Sequence, residues 1–425
     1  MSFEDVEIIM PKKIYIAFTK KAIPVEYNIY FHNIILNRPL NSFIDVECEF
    51  GKQYEKFWRF EADDNNLPKT NFPLTISVKD ERGIIIAIKT TEVLVVKTVN
   101  TNKFSLMCIG DSMTRAHIYV SHLVSVLPNI QMVGTRTYDN IIFTEGRGGW
   151  SVDNYLTRYK LCFGVSPFLF PVGIDGNKYY GNTEFWKIAL HEKRKDYEFE
   201  GFQLLGDDIY NEMGEPKNPQ NGDVISDADG VFKRYENGKW VMLENQQFEF
   251  DFSKYILKNK IDVPDIVSLL FGANDFQFTK TEEIKDELEK YFEGMDTIIE
   301  SIKDFNADVK IIVNMPVVGA SQDAWGICKG CEGSAFQYNY NMKIVAKYIL
   351  DKWDNDESHQ KGIYVSPMLI GIDVDYGFDN QLQCANKYST KLVAYQNNWV
   401  HPNECGYKQM GDVLLGVVQN IREEG

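Results

Sequence analysis

Ser105-Leu106-Met107-Cys108-Ile109-Gly110-Asp111-Ser112-Met113-Thr114 decides how this chain folds. Its nearly continuous apolar start reads as a strand buried on both faces. Gly-Asp-Ser then turns the chain, and a helix is expected from there through Leu127. The same rhythm recurs outward from this stretch. Strands are expected near Ile130 to Val133, within Pro264 to Phe271, from Val309 to Asn314 and from Ile363 to Ser366. Helices are expected from Glu282 to Phe305, from Phe336 to Trp353 and from Tyr407 to Ile421; the first is rich in i,i+4 charge pairs. Strands alternating with helices predict a parallel sheet covered on both faces, with reactive groups just past the strands' C-terminal ends.

Residues 1–100 follow another pattern. Short β-rich runs recur at Ile14 to Phe18, Val25 to Phe31, Phe43 to Phe50, Leu74 to Val78, Ile84 to Thr90 and Val93 to Val96. Turn chemistry separates them, as in Asn37-Arg38-Pro39, Asp63-Asp64-Asn65-Asn66 and Asp80-Glu81-Arg82-Gly83. This predicts a small antiparallel β-sandwich domain ahead of an α/β domain over 101–425. With one histidine, His32, and no visible catalytic cluster, the leader reads as a structural or binding module.

Residues 157–259 interrupt the α/β rhythm and are rich in Gly, Asn, Asp and aromatics. A hairpin turning at Asn237-Gly238 is expected there. Asp227-Ala228-Asp229-Gly230 resembles part of a calcium loop, with Glu236 where a closing carboxylate belongs. Ile225 replaces the opening aspartate, however, and the stretch reads as a turn. The segment is expected to be an insertion over the sheet edge that shapes a substrate cleft.

At 425 residues with 44% apolar side chains, the chain can bury a large core, which excludes global disorder. Lys and Arg number 45 against 61 Asp and Glu, a formal charge of −16, so nucleic-acid binding through a basic face is not expected. No apolar run is long enough for a membrane span. The acidic start Met-Ser-Phe-Glu-Asp lacks the pattern of an export signal. A cytoplasmic location follows as the expectation, with a virion-associated protein or a secreted one whose signal was removed as the alternative. The seven cysteines include one CxxC, Cys328-Lys329-Gly330-Cys331. Cys384 and Cys405 do not supply a second pair with zinc spacing, so reduced thiols and no metal are expected. The sequence assigns no oligomeric state.

Four blocks fall at the expected strand ends. Ser112, in Gly110-Asp111-Ser112, sits at a helix start, where it can attack and its N–H can help hold an oxyanion. In Arg147-Gly148-Gly149-Trp150-Ser151, adjacent glycines let backbone approach a ligand and aim an N–H at it. Gly272-Ala273-Asn274-Asp275 follows the strongest buried run, and Asn274 can donate a side-chain N–H there. In Trp399-Val400-His401-Pro402, His401 alone of six histidines lies in a loop facing the sheet's C-terminal edge. Each block by itself is ordinary.

Together and in order, Ser112, Gly149, Asn274 and His401 resemble the SGNH (GDSL-type) hydrolase family, over about residues 103–423 apart from the insertion. No Gly-x-Ser-x-Gly elbow is present, which argues against a lipase-type α/β-hydrolase. The β-rich leader before the GDS block looks like the arrangement in some bacterial carbohydrate esterases of the family. The resemblance implies a flavodoxin-like three-layer α/β/α fold and acyl transfer to water without a cofactor. It implies Ser112 as nucleophile and His401 as base. The oxyanion hole would consist of the Ser112 and Gly149 N–H groups and the Asn274 side chain.

The family usually carries an aspartate three residues before the histidine; here that position is Asn398. Three readings follow: a backbone carbonyl orients His401, another carboxylate (Glu404, Asp373 or Asp375) does so, or the site is impaired and kept for binding. For substrate, Arg147, Trp150 and Trp325 are candidate contacts. Phe168, Phe170, Tyr179, Tyr180, Phe185 and Trp186 could add sugar-stacking surfaces, core packing being their alternative. An O-acetylated carbohydrate is the leading substrate and other short-chain esters come next. The different-class alternative is a carbohydrate-binding or phage tail-associated structural protein with an auxiliary or impaired esterase site. A thioesterase or lysophospholipase is a third.

Overall fold

In a computed structural model of the chain, residues 5–18, 25–62, 67–68, 70–97, 102–127, 129–137, 139, 141–157, 165–184, 187, 210–227 and 229–424 are described. Residues 63–66, where a turn is expected, Ala228, Phe185 and Trp186 lie outside them.

Phe104–Gly110 is the central strand, with every residue buried, as its apolar run requires. It pairs in parallel with Ile130–Val133 on one side and Ile266–Leu270 on the other. Lys310–Asn314 and Ile363–Ser366 complete the sheet, also in parallel. In chain order these five strands lie 2-1-3-4-5, the flavodoxin-like order. The order reverses between the first and third strands, so a crevice opens at their C-terminal ends. Glu145–Gly146 adds a short parallel pairing beside the end of the central strand.

Helices Ile118–Val126 and Glu404–Glu424 pack against each other, while Ile284–Phe305 packs against Val152–Leu156 and Phe252–Asn259. The single helix expected after Gly110 is two. Ser112–Arg115 ends, and His117 takes a left-handed φ of 62° before Ile118–Val126 begins. Its ring Nε2 bonds Thr144 Oγ1 at 2.9 Å, which holds the break in place.

The leader forms two main β-sheets. Lys13–Phe18, Ile85–Lys97, Phe72–Lys79 and Phe43–Cys48 make one; Val25–Tyr30, Phe57–Ala62 and Lys52–Gln53 make the other. All pairings within them are antiparallel except Lys13–Phe18 with Ile85–Lys97, so the wholly antiparallel expectation needs correction. The two strands expected across 84–96 are one 13-residue strand. The polar Thr91-Glu92 between them continues the ladder, paired with Leu74 and Pro73, rather than turning it.

The leader's apolar residues belong to the same buried cluster as those of the α/β region. The closing helix meets strand Lys13–Phe18 so closely that a Cβ on Gly416 would lie 1.9 Å from the Tyr15 carbonyl. Asn33, fully buried, donates to the Leu369 and Ile372 carbonyls at 2.9 and 2.8 Å. Such contacts hold the leader beneath the loops that follow the last sheet strand.

In 157–259, Asn237 and Gly238 both have positive φ, 50° and 87°, between strands Phe232–Glu236 and Lys239–Leu243. This is the type I′ geometry that Asn-Gly favours.

Candidate active site

Three of the four blocks converge directly from strand ends. Asp111 caps the turn after the central strand, its Oδ1 accepting the Met113 N–H at 2.9 Å. Ser112 is thereby fixed as the first helical residue, with its hydroxyl facing the crevice. His401 reaches across from the loop before the closing helix, and its Nε2 lies 2.7 Å from Ser112 Oγ. Asn274 follows the neighbouring strand, in the helical turn Ala273–Phe276.

Gly149 has φ of 75°, a left-handed conformation that favours glycine, and open space where a Cβ would stand. No described group accepts from the N–H of Ser112 or Gly149. The Asn274 amide donates one hydrogen to the Trp150 carbonyl at 3.0 Å, which leaves its second free. Ser112, Gly149, Asn274 and His401 all line one cavity of about 280 Å³.

Two carboxylates support this geometry, Asp111 buried and Asp275 partly buried, and neither had a role from sequence. Asp275 accepts the Val152 N–H at 2.9 Å and the Gly272 N–H at 3.0 Å, tying the Gly149 loop to the Asn274 turn. Burial pushes its carboxyl up to about 7, and burial does the same to Asp111. Their signal was positional: each is an aspartate beside the functional residue of its block.

Burial lowers the His401 pKa below the ordinary imidazole value, and the Arg115 cation at the cavity wall lowers it further. Asn398 Oδ1 accepts the backbone N–H of His401 at 3.1 Å and does not touch the ring. Asn398 thus meets His401 through the backbone of its turn. Nδ1 makes no hydrogen bond with a described residue, so no described carbonyl orients the ring. The alternative carboxylates are engaged elsewhere: Glu404 with Lys408, Asp373 with Tyr30 at 3.2 Å, and Asp375 with Lys56 at 2.5 Å.

The three substrate contacts expected from sequence are buried. Arg147, 1% exposed, pairs with the fully buried Glu145 at 2.8 Å, and its guanidinium lies 5.1 Å from the Trp150 ring centroid. Tyr255 and Thr135 also donate to Glu145. These residues brace the Gly149 loop from behind. Trp150 itself packs edge-on against Tyr155, and Trp325 packs against Tyr338 and Trp399. Burying such rings yields more than leaving them in water, which is why the loop turns them inward.

Phe168, Phe170 and Tyr179 are likewise core, and no described residue of 157–259 lines the cavity. That corrects the substrate-shaping role expected for the insertion's described part. The cavity instead includes Trp399, from the histidine block itself.

The six described cysteines are unpaired, and no group of three metal-ligating side chains occurs among the described residues. No described helix is long and apolar enough to cross a membrane.

Residues 106–414 match the GDSL-like Lipase/Acylhydrolase family, and the chain belongs to it. A search of curated proteins found no match. Among solved structures, the chain is similar to a family 3 carbohydrate esterase from Clostridium thermocellum, at 13% identity and a TM-score of 0.35. That alignment covers 76% of this chain and 99% of the other. A carbohydrate esterase family 3 structure from Talaromyces cellulolyticus gives 12% identity and a TM-score of 0.34, covering 75% and 99%. A structure described as a possible lipase from Chitinophaga pinensis gives 12% and 0.35, with coverage of 75% and 99%.

Proposed function

We propose that the chain is a serine esterase that removes short acyl groups, O-acetyl above all, from carbohydrates. The observation that carries the reading is the 2.7 Å contact between Ser112 Oγ and His401 Nε2, in a cavity shared with Gly149 and Asn274. Ser112 Oγ attacks the ester carbonyl as His401 Nε2 takes its proton. The carbonyl oxygen, now anionic, accepts from the Ser112 and Gly149 N–H groups and the free Asn274 amide hydrogen. Collapse breaks the ester C–O bond, and His401 returns the proton to the departing alcohol. Water, deprotonated by His401, then releases the acid from Ser112 and restores the hydroxyl.

A cavity of about 280 Å³ fits a small acyl group together with part of an alcohol better than a long aliphatic chain. The alternative, a binding protein with an impaired site, draws on one observation, the lack of a described partner for His401 Nδ1. Hydrolysis of a short aryl acetate by wild type and Ser112→Ala separates the two. Equal rates would defeat the esterase reading.

A further inference from the structure

We propose that Phe278, Trp399 and Lys329 form the subsite for the alcohol portion of the ester, and that this subsite takes a sugar ring. The inference rests on the esterase reading and names the part of the substrate that the catalytic groups do not touch.

The three residues come from different segments and meet at Trp399, which lines the cavity. Phe278 lies four residues after Asn274, Trp399 two before His401, and Lys329 ends helix Gln322–Lys329. The Phe278 and Trp399 rings have centroids 5.9 Å apart and planes tilted by 30°. Lys329 Nζ stands 4.5 Å from the Trp399 centroid and 5.5 Å from that of Phe278. Behind them, the fully buried Trp325 meets Trp399 edge-on at 4.5 Å. The lip is therefore backed by core, and its distance from Asn274 and His401 is set by two short pieces of backbone.

Two features of this lip go unused by the fold. Phe278 is 55% exposed, although burying a ring of its size would be worth about 1.5–3 kcal/mol. Lys329 forms no ion pair with a described residue, in a chain carrying 61 acidic side chains. An ammonium held over two rings presents N–H donors beside an apolar surface. A pyranose ring has the matching chemistry: C–H groups on one face to lie against aromatic carbon, and hydroxyl oxygens at its edge to accept from the ammonium.

Position selects the alcohol portion over the acyl group. His401 hands its proton to the departing alcohol, so the alcohol leaves on the His401 side, where Trp399 stands. The acyl oxygen is taken up by the Ser112 and Gly149 N–H groups and the Asn274 amide, so the alcohol is the part left to reach Trp399. A lipid alcohol would gain nothing from Lys329, and an aryl alcohol would use the rings alone.

The test measures kcat/KM of the full chain for an O-acetylated methyl pyranoside and for ethyl acetate, which is too small to reach the lip and the rings together. Phe278→Ala and Lys329→Met are each expected to lower the pyranoside-to-ethyl-acetate ratio by about tenfold, mainly through KM. Phe43→Ala, an equally exposed phenylalanine in the leader, is expected to keep the wild-type ratio. Phe278 is the primary position because its exposure makes misfolding an inadequate explanation of a loss. Wild type hydrolysing both esters while Phe278→Ala and Lys329→Met retain its ratio would overturn the subsite and leave the esterase standing. A wild-type preference for long-chain alkyl esters over the pyranoside would also overturn it. Failure on every ester would remove the esterase reading, and the subsite with it.

Discussion

Asn398 Oδ1 accepts the backbone N–H of His401 at 3.1 Å, so the residue three before the base holds the turn and leaves the imidazole alone. In serine proteases an aspartate orients the base, and its change to asparagine lowers turnover about ten-thousandfold. Among the described residues, the ring's hydrogen bond is to Ser112. Asn398→Ala is expected to cost only about tenfold in kcat/KM, through a looser turn. Asn398→Asp keeps the accepting oxygen and adds a negative charge near the ring, so the acid limb of the pH–rate profile moves to higher pH. A loss near ten-thousandfold for Asn398→Ala would show that the side chain does orient the base.

The acid limb itself follows from burial. His401 must be neutral to take the Ser112 proton, and its pKa is held below 6.5 by burial and by Arg115. Activity should therefore persist below the pH at which an ordinary imidazole titrates, falling only once His401 is protonated. Arg115→Gln removes the neighbouring cation and should move the limb upward. An unmoved limb in that variant would contradict the electrostatic account.

Asp275 joins the Gly149 loop and the Asn274 turn, both part of the proposed oxyanion hole, by accepting N–H groups from Val152 and Gly272. Asp275→Ala leaves two buried donors without their partner, at about 1–3 kcal/mol of stability each. It should also lower kcat about 10- to 100-fold, because the Gly149 loop and the Asn274 turn lose their common anchor. Asn274→Ala removes a donor outright and should lower kcat about 100- to 1000-fold with little change in stability. Equal stability losses in the two variants would argue against this division of roles.

The buried Asp111 carries a pH signature of its own. Its carboxyl is pushed up from 3.8 to about 7 by burial, so the folded chain binds a proton that the unfolded chain has released across that range. The sign of the linkage is that this group's contribution to stability is present below about pH 4 and is lost as pH rises through about 7. Asp111→Asn keeps the N-cap acceptor for Met113 and removes the titration. Relative to wild type, it should gain up to about 4 kcal/mol between pH 4 and pH 8 in urea unfolding. Parallel stability profiles would contradict the buried charge.

Residues on strand ends were legible because strand and turn chemistry are local. Ser112, Gly149 and Asn274 come to one cavity for that reason, with His401 reaching it from the loop before the closing helix, and the strand order follows from the alternation that placed them. Side-chain direction was not legible. Arg147 and Trp150 flank the Gly148-Gly149 pair in sequence, yet both turn inward: Glu145 and Tyr155, near them in the chain, are themselves buried, which sequence spacing does not reveal. Phe278 gave the opposite difficulty: in sequence it resembles another core aromatic, and only its exposure beside Trp399 sets it apart. In the leader, the polar Thr91-Glu92 reads as a break between strands, whereas pairing with Leu74 and Pro73 carries the strand through.

The most direct test of the central claim is kcat/KM for a short aryl acetate, measured for wild type and Ser112→Ala at pH 7. Losing the nucleophile should cut the enzymatic rate by at least about a thousandfold, with the remainder due to binding and the oxyanion donors. Wild type and Ser112→Ala turning over the ester at the same rate would contradict the account.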